Sequence, residues 1–370
     1  MIFTFESLLV FFTLLYFADI FWLWLGLRKC VRASENNAVD SLPSVSIVVA
    51  ARNEESNILA CLHSLSQIIY PRDKLEIIIV DDRSTDSTQE IISAFIKNHS
   101  EFKIVRICSE GDKIRGKANA LAVALDSAQG DIFMFTDADC CVTSEWVHAT
   151  INEFQNDVGI VGGYTVLRVQ STFEGIQSLD WILNFSVSAA MAGRNLPITV
   201  IGNNFSIRRN VYELVGGFRG IPFSVTEDYA MVQAVVQRTS YRVKFFLSKN
   251  TLVESYPCKT WHQLFSQKQR WAVGAMNMVP HGVFVIGIGY VTHFLMLLGI
   301  MFASPMILLC TFAVKLLSDI FFLSKPLSEF RIFSRLQYLF PFELYYIVYG
   351  FLFPFLAVFT KNVMWKERKF

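Results

Sequence analysis

Two aspartates, Asp137 and Asp139, follow the apolar run Ile132–Phe135 in the segment IFMFTDAD. An apolar run of that length reads as a buried strand. In open α/β sheets, ligands bind beyond the carboxyl ends of the strands. Two carboxylates there can hold a divalent cation, because hard ions such as Mg2+ take oxygen ligands and bridge to phosphates. A nucleotide diphosphate would be repelled by bare carboxylates in a low-dielectric site. A Mg2+ or Mn2+ ion removes that conflict and acts as a Lewis acid for the departing phosphate. Cys140 and Cys141 follow the pair, but a zinc site needs more ligands at regular spacing. The seven cysteines are expected to be reduced, buried thiols.

Other clusters lie on both sides of this pair. Ala51-Arg52-Asn53-Glu54-Glu55 ends an earlier strand; it suits an anionic or nucleotide ligand, or simply caps a loop. In Asp81-Asp82-Arg83-Ser84-Thr85-Asp86 a carboxylate can accept from a pyrimidine N–H or ribose hydroxyls, while Ser84 or Asp86 can cap the next helix. Lys117 opens a helix after Gly116; it can meet phosphate, but the spacing is not that of a P-loop, and taken alone it reads as a solvated lysine. Gly202-Asn203-Asn204-Phe205 suits a site wall, and Arg208 and Arg209 are expected to face solvent. Thr226-Glu227-Asp228 precedes the helical run Tyr229–Val236, as an N-cap or with a general base at the helix start. In Gln267-Lys268-Gln269-Arg270-Trp271, Gln267 and Arg270 share a helix face. Arg270 could neutralise a diphosphate, and Trp271 could stack on a sugar or anchor at a lipid interface.

The elements that must position these groups alternate. Strand-like runs Val45–Ala50, Glu76–Val80, Lys103–Ile107 and Ile132–Phe135 are separated by helix-like runs Ile58–Ser66, Thr88–Asn98 and Lys117–Ala128. Alternation of this kind predicts a parallel sheet covered by helices. Hydrophobic content is 53%, above the ~45–50% usual for soluble domains, and the excess sits at the two ends. Leu8–Leu27 is long enough to cross a bilayer, and Arg28, Lys29 and Arg32 follow it, which places the next domain in the cytosol. Val283–Val314 is too long for one span and divides at Ser304-Pro305; a further span is expected over Tyr338–Phe359. Lys325, Arg331 and Arg335 form one basic group, and Lys361, Lys366, Arg368 and Lys369 another. Three spans would set these groups on opposite sides, so the number is two or three. Glu343 could interact with an interfacial cation or a substrate, but a snorkelling structural role is the expected one. The expected plan is a transmembrane helix over 1–30, a linker over 31–43, a catalytic domain over 44–257, an interfacial helix over 258–281, and a membrane region over 282–370. A net charge of +1 gives no reason to invoke nucleic acid.

The ordered set of D-D-x-S at Asp81–Ser84, D-x-D at Asp137–Asp139, T-E-D at Thr226–Asp228 and Q-x-x-R-W at Gln267–Trp271 resembles the family 2 inverting glycosyltransferases. It is most similar to the membrane-bound branch with ceramide glucosyltransferases and cellulose, hyaluronan and chitin synthases. The resemblance covers about residues 44–271. It implies a GT-A fold, a Rossmann-like, mostly parallel sheet in a cytosolic domain flanked by transmembrane helices, with a nucleotide-sugar donor that is usually a UDP-sugar. It implies that Asp81 and Asp82 contact the base or ribose, with Ala51, Arg52 and Glu54 nearby. Lys117 is grouped with this donor set. Asp139 would bind Mg2+ or Mn2+, assisted by Asp137, and Asp228 would deprotonate the acceptor hydroxyl. Gln267, Arg270 and Trp271 would line the acceptor and diphosphate site, and Glu227 is grouped with them.

The acceptor is expected to be a lipid hydroxyl, and the protein an integral membrane enzyme of the cytoplasmic membrane. The alternative is a processive polysaccharide synthase, which would need a larger set of spans. A nucleotidyltransferase lacks support because no Gly-rich phosphate loop follows the first strand, and an inactive membrane scaffold would not need four intact motifs.

Overall fold

The structure, a computed structural model, describes residues 2–30, 42–109, 111, 114–359, 364–365 and 368–369. Of the expected linker, only Leu42 and Pro43 are among these; Lys361 and Lys366 lie outside them.

The four expected strands form, as β1 (Val45–Ala51), β2 (Leu75–Asp81), β3 (Phe102–Arg106) and β4 (Ile132–Asp137). β1, β2 and β4 alternate two buried faces, whereas in the edge strand β3 only Phe102 is buried and Lys103 and Arg106 are exposed. Ile47, Val49, Ile77, Ile79 and Met134 join one core cluster with helices Ile58–Ser66, Thr88–Ile96 and Trp146–Ile151. Val48, Ile78, Val80, Phe133 and Phe135 join the other, with helices Gly116–Leu125 and Thr172–Gly193. Burial on both faces is why β1, β2 and β4 read as continuous apolar runs. Each such side chain is worth about 1.5–3 kcal/mol on removal from water.

Six shorter strands complete two sheets: β5 (Cys141–Val142), β6 (Val158–Gly162), β7 (Thr165–Leu167), β8 (Phe205–Arg208), β9 (Arg242–Phe245) and β10 (Val253–Ser255). The main sheet has the order β3-β2-β1-β4-β8-β6-β9, and the small one β5-β10-β7. β1, β2, β3 and β4 run parallel, β8 runs antiparallel to its neighbours β4 and β6, and β6 and β9 are parallel. The order reverses at β1, between β2 and β4. Register sets Ala51 opposite Asp81 and Ala50 opposite Asp137. The carboxyl ends that carry the expected site are therefore level at the switch point, where open α/β sheets bind ligands.

Among the described residues, three helices are long and apolar enough to cross a membrane: Thr4–Cys30, Pro280–Phe302 and Pro305–Glu329. The break between the last two falls at the expected Ser304-Pro305. Helix Leu339–Phe359 packs against Pro280–Phe302. The N-terminal helix also packs on Thr172–Gly193, and its Tyr16, Ile20, Leu23 and Leu27 belong to the same core cluster as Val48 and Phe135. The contact is backbone to backbone: a Cβ on Gly26 would meet the Ala190 carbonyl, and one on Gly193 the Gly26 carbonyl.

Several expectations fail here. Glu343 does not snorkel: it is wholly buried and paired with Lys315, which also holds Asp319 at 2.7 Å. Tyr16 donates to Asp319 at 2.5 Å. A carboxylate inside a helix bundle needs a partner, and Lys315 supplies it. Arg208 does not face solvent. It donates to the carbonyls of Val158 (2.8 Å), Phe154 (3.2 Å) and Gln155 (3.0 Å), tying down the turn before β6. Cys108 and Cys310 are exposed rather than buried.

Candidate active site

The loops after β1 and β2 are laced together. Arg52 Nη1 donates to the carbonyls of Asp82 (2.9 Å) and Arg83 (2.8 Å). Asn53, in the left-handed region at φ 50°, donates its N–H to Ser84 Oγ and accepts from Thr85 N–H. Asp86 accepts from the N–H groups of Glu55 and Thr88, so it organises the start of helix Thr88–Ile96. The two expected nucleotide carboxylates part company: Asp81 accepts from Ser84 N–H at 3.1 Å and stabilises the turn. Asp82 lines a cavity, together with Ala51, Arg52 and Glu54.

That cavity has a volume of about 720 Å3. Asp137 and Asp139 line it, at the end of β4 and in the turn closed by Cys140 N–H to the Asp137 carbonyl. Lys117 lines it too and is not a solvated lysine. Its Nζ lies 2.6 Å from Asp137 Oδ1 and 3.0 Å from Glu227 Oε1, and donates to the Gly202 carbonyl at 3.3 Å. Burial disfavours the ammonium, but Asp137 and then Glu227 outweigh it and hold its pKa above the usual range. Isolated sequence reading missed this, because the partners lie on three separate segments.

Asp228 faces the same cavity from the first turn of helix Glu227–Arg238. Its Oδ2 accepts from Gly202 N–H at 2.7 Å and its Oδ1 from Tyr229 N–H at 2.8 Å. Burial and the neighbouring Glu227 push its carboxyl up to about 7, with Lys117 and the two N–H donors pulling the other way. That range suits a group that accepts a proton near neutral pH. Thr226 occupies the cap position without a side-chain cap bond.

The expected site-wall amides serve mainly as struts. Asn203 Oδ1 accepts from Thr165 Oγ1. Asn204 donates to the Tyr164 and Thr251 carbonyls and accepts from Trp146 Nε1. Helix Trp261–Gly274 brings Gln267, Arg270 and Trp271 to the cavity wall. Gln267 Oε1 is buried and makes no hydrogen bond among the described residues. Lys268, between these residues, is buried and paired with Asp180 of helix Thr172–Gly193, and its Nζ lies 4.1 Å from the Trp271 ring centroid. Trp271 packs against Trp181 at 5.8 Å.

The cavity does not stop at the sheet. Its far wall comes from apolar helices: Tyr16, Asp19, Ile20 and Leu23 of the first, Val283, Ile286 and His293 of Pro280–Phe302, and Tyr346, Tyr349 and Gly350 of Leu339–Phe359. None of these residues carried a recognisable signal as part of a motif.

Comparison with known proteins agrees with this arrangement. The profile described as "Glycosyl transferase family 2" matches residues 46–230, half of the chain. The chain belongs to glycosyl transferase family 2. Among family 2 relatives, a beta-monoglucosyldiacylglycerol synthase of Nostoc sp. is 28% identical over 63% of this chain and 49% of its own length. A poly-beta-1,6-N-acetyl-D-glucosamine synthase of Staphylococcus epidermidis is 29% identical over 68% of this chain and 58% of its own. The chain thus spans about half the length of these relatives. A mannosyltransferase of Pyrobaculum calidifontis, solved with GDP-Man and Mn2+, superposes with TM-score 0.60 at 19% identity over 92% of this chain and 99% of that one. The fold of this family 2 chain is GT-A, a mostly parallel mixed sheet with apolar helices at its flanks.

Proposed function

We propose that this chain moves a sugar, with inversion, from a nucleotide-diphosphate sugar, most simply a UDP-sugar, to the hydroxyl of a membrane lipid. The observation that carries this reading is the single cavity that joins Asp82, Asp137 and Asp139 to Asp228 and then runs on between the membrane helices. Its upper end offers carboxylates and arginines to a polar donor, and its lower end offers Ile20, Leu23, Val283 and Ile286 to a hydrocarbon chain.

In this reading Asp82, Arg52 and Glu54 hold the nucleoside. Asp137 and Asp139 fit a divalent cation: both are carboxylates on one strand-end turn. Among the described residues no group of three His, Cys, Asp or Glu side chains is placed to hold a metal, so diphosphate oxygens and water would complete the shell, as Mg2+ prefers. When bound, the ion supplies charge stabilisation to the departing diphosphate. Arg270 adds a fixed positive charge on the same wall. Asp228 accepts the proton as the lipid hydroxyl attacks the anomeric carbon from the face opposite the leaving group. The attack forms the new C–O bond, breaks the old one to the phosphate oxygen and inverts the centre. Gln267 Oε1, buried without a hydrogen-bond partner among the described residues, is placed to accept from a hydroxyl of the bound sugar or acceptor. The basic residues Arg28 and Lys29 after the first span support a cytosolic side for the domain.

The test is to incubate membranes containing the full chain with a panel of labelled sugar nucleotides and extract with organic solvent. Label in the lipid phase is expected. Label confined to high-mass polymer would replace the lipid acceptor with a growing glycan, and release of pyrophosphate would replace sugar transfer altogether.

A further inference from the structure

Lys117 is paired with Asp137, one of the two carboxylates proposed to hold the metal. Its ammonium has three N–H donors, and three oxygens surround it: Asp137 Oδ1 at 2.6 Å, Glu227 Oε1 at 3.0 Å and the Gly202 carbonyl at 3.3 Å. Gly116, in the left-handed region at φ 58°, turns the chain into helix Gly116–Leu125 so that the very next side chain reaches this point. The ammonium bridges the strand end expected to hold metal and the helix that carries Asp228.

The geometry points to Lys117 as a resident cation that occupies the metal's place on Asp137 and yields it only when metal and diphosphate arrive together. This rests on the reading of Asp137 and Asp139 as the metal's protein oxygens. A divalent ion bound to a carboxylate oxygen sits about 2.0–2.1 Å from it. With the ammonium also on Asp137, the two positive charges would be within a few ångströms in a partly buried site, where repulsion is strong. The metal alone is therefore opposed. A nucleoside diphosphate changes the balance, since its oxygens give both cations a partner. The flexible four-carbon stem of lysine lets the ammonium leave Asp137 for the diphosphate while remaining near Glu227. Metal and nucleotide should then each strengthen the other's binding, by the same factor.

The experiment measures Mn2+ binding to the purified full chain in detergent by electron paramagnetic resonance, with and without UDP, and with GDP in parallel. The wild type is expected to bind Mn2+ at least tenfold more tightly with the better diphosphate, after correction for the complex the two form in solution. Equal affinity with and without nucleotide overturns the proposal without any variant. Lys117→Met is expected to raise nucleotide-free Mn2+ affinity about tenfold and to reduce the nucleotide enhancement to less than about threefold. Lys117→Gln, which keeps a polar side chain, serves the same purpose should the methionine variant fail to fold. Loss of charge acting only at a distance would strengthen both states equally and leave the enhancement unchanged, which overturns the proposal. Asp139→Ala separates the two readings. If it abolishes Mn2+ binding while Lys117→Met leaves the enhancement intact, only the resident cation fails. If nucleotide-enhanced Mn2+ binding survives Asp139→Ala, the metal site itself has been misplaced.

Discussion

Asp228→Asn tests the chemistry and the electrostatics together. The carboxylate accepts two backbone N–H groups, from Gly202 at 2.7 Å and Tyr229 at 2.8 Å. Asparagine has one side-chain oxygen, so one of these donors must face an NH2 group and lose its bond. A buried donor left unmet costs about 1–3 kcal/mol. The opposing effect is the relief of a carboxylate that burial and Glu227 push from 3.8 up to about 7. That rise corresponds to at most about 4 kcal/mol against the ionised form. Partial exposure to the cavity screens it, leaving roughly 1–2 kcal/mol. From pH 3.8 to about 7 the folded chain keeps a proton that the unfolded chain has released, so this group's contribution falls as pH rises through the window and stays low above it. Asparagine has no such proton.

The variant should therefore be no more stable than wild type at pH 5, and should gain about 1–2 kcal/mol on it by pH 8, a shift of a few degrees in unfolding midpoint. Transfer should fall by about 10²–10⁴-fold, the usual worth of a general base, or about 3–5 kcal/mol of barrier. Donor affinity should stay within about threefold, since Asp228 is proposed to contact the acceptor. Thermal unfolding in detergent at the two pH values, labelled transfer and equilibrium donor binding read these quantities separately. Transfer within tenfold of wild type would move the base to another residue. A midpoint difference that does not grow with pH would remove the raised carboxyl from the account.

Gly202→Ala would place a Cβ 3.2 Å from Asp228 Oδ2, 3.2 Å from Glu227 Oε1 and 3.3 Å from Lys117 Nζ. A shift of a few tenths of an ångström in all three should lower kcat by about tenfold with little change in unfolding midpoint, because misplaced catalytic groups cost rate before stability; kinetics and melting of one preparation check both. Lys268→Met leaves Asp180 buried without its ammonium, for a loss of about 3–5 kcal/mol in thermal unfolding. Adding Asp180→Asn should recover part of it, since an uncharged pair leaves no orphaned ion. Asp139→Ala, or chelation of the wild type, should abolish tight donor binding measured by calorimetry, and unchanged binding would take the metal out of the mechanism.

How far the fold could be read from the residues depended on periodicity. β1, β2 and β4 are doubly buried, and helices Ile58–Ser66 and Gly116–Leu125 lie close to where alternation placed them. The second half was obscure for physical reasons. Its strands β5 to β10 are two to five residues long, too short to show a period. Helix Thr172–Gly193 buries nearly its whole surface, including Gln177, Asp180 and Ser186, so it has no polar stripe to betray it. Its start was marked all the same: Ser171 and Glu174 form a capping box. The site shows the same division. Acidic residues at strand ends were legible because position and chemistry coincide. The partners of Lys117 and Lys268 were not, since each ion pair closes only when segments far apart in sequence meet. Asp81 shows the reverse case, as its turn bond to Ser84 is local.

Helix Thr172–Gly193 connects the membrane to the chemistry. At its end, Gly193 meets Gly26 of the first span, Arg194 donates to the Trp22 carbonyl at 3.0 Å, and Cys30 Sγ donates to the Ala189 carbonyl at 3.2 Å. Near its middle, Asp180 holds Lys268, and so fixes the helix that carries Arg270 and Trp271. Gln177 binds both backbone groups of Cys258, just ahead of that helix. The first span and the Q-x-x-R-W helix are thus fastened to one rigid rod. In the proposed reaction a lipid hydroxyl would arrive along the cavity between the apolar helices, past the wall that carries Arg270 and Trp271. Fastening the first span and the Q-x-x-R-W helix to the same rod fixes Arg270 and Trp271 relative to that route, and a 1 Å error in such positioning is worth about 10²-fold in rate.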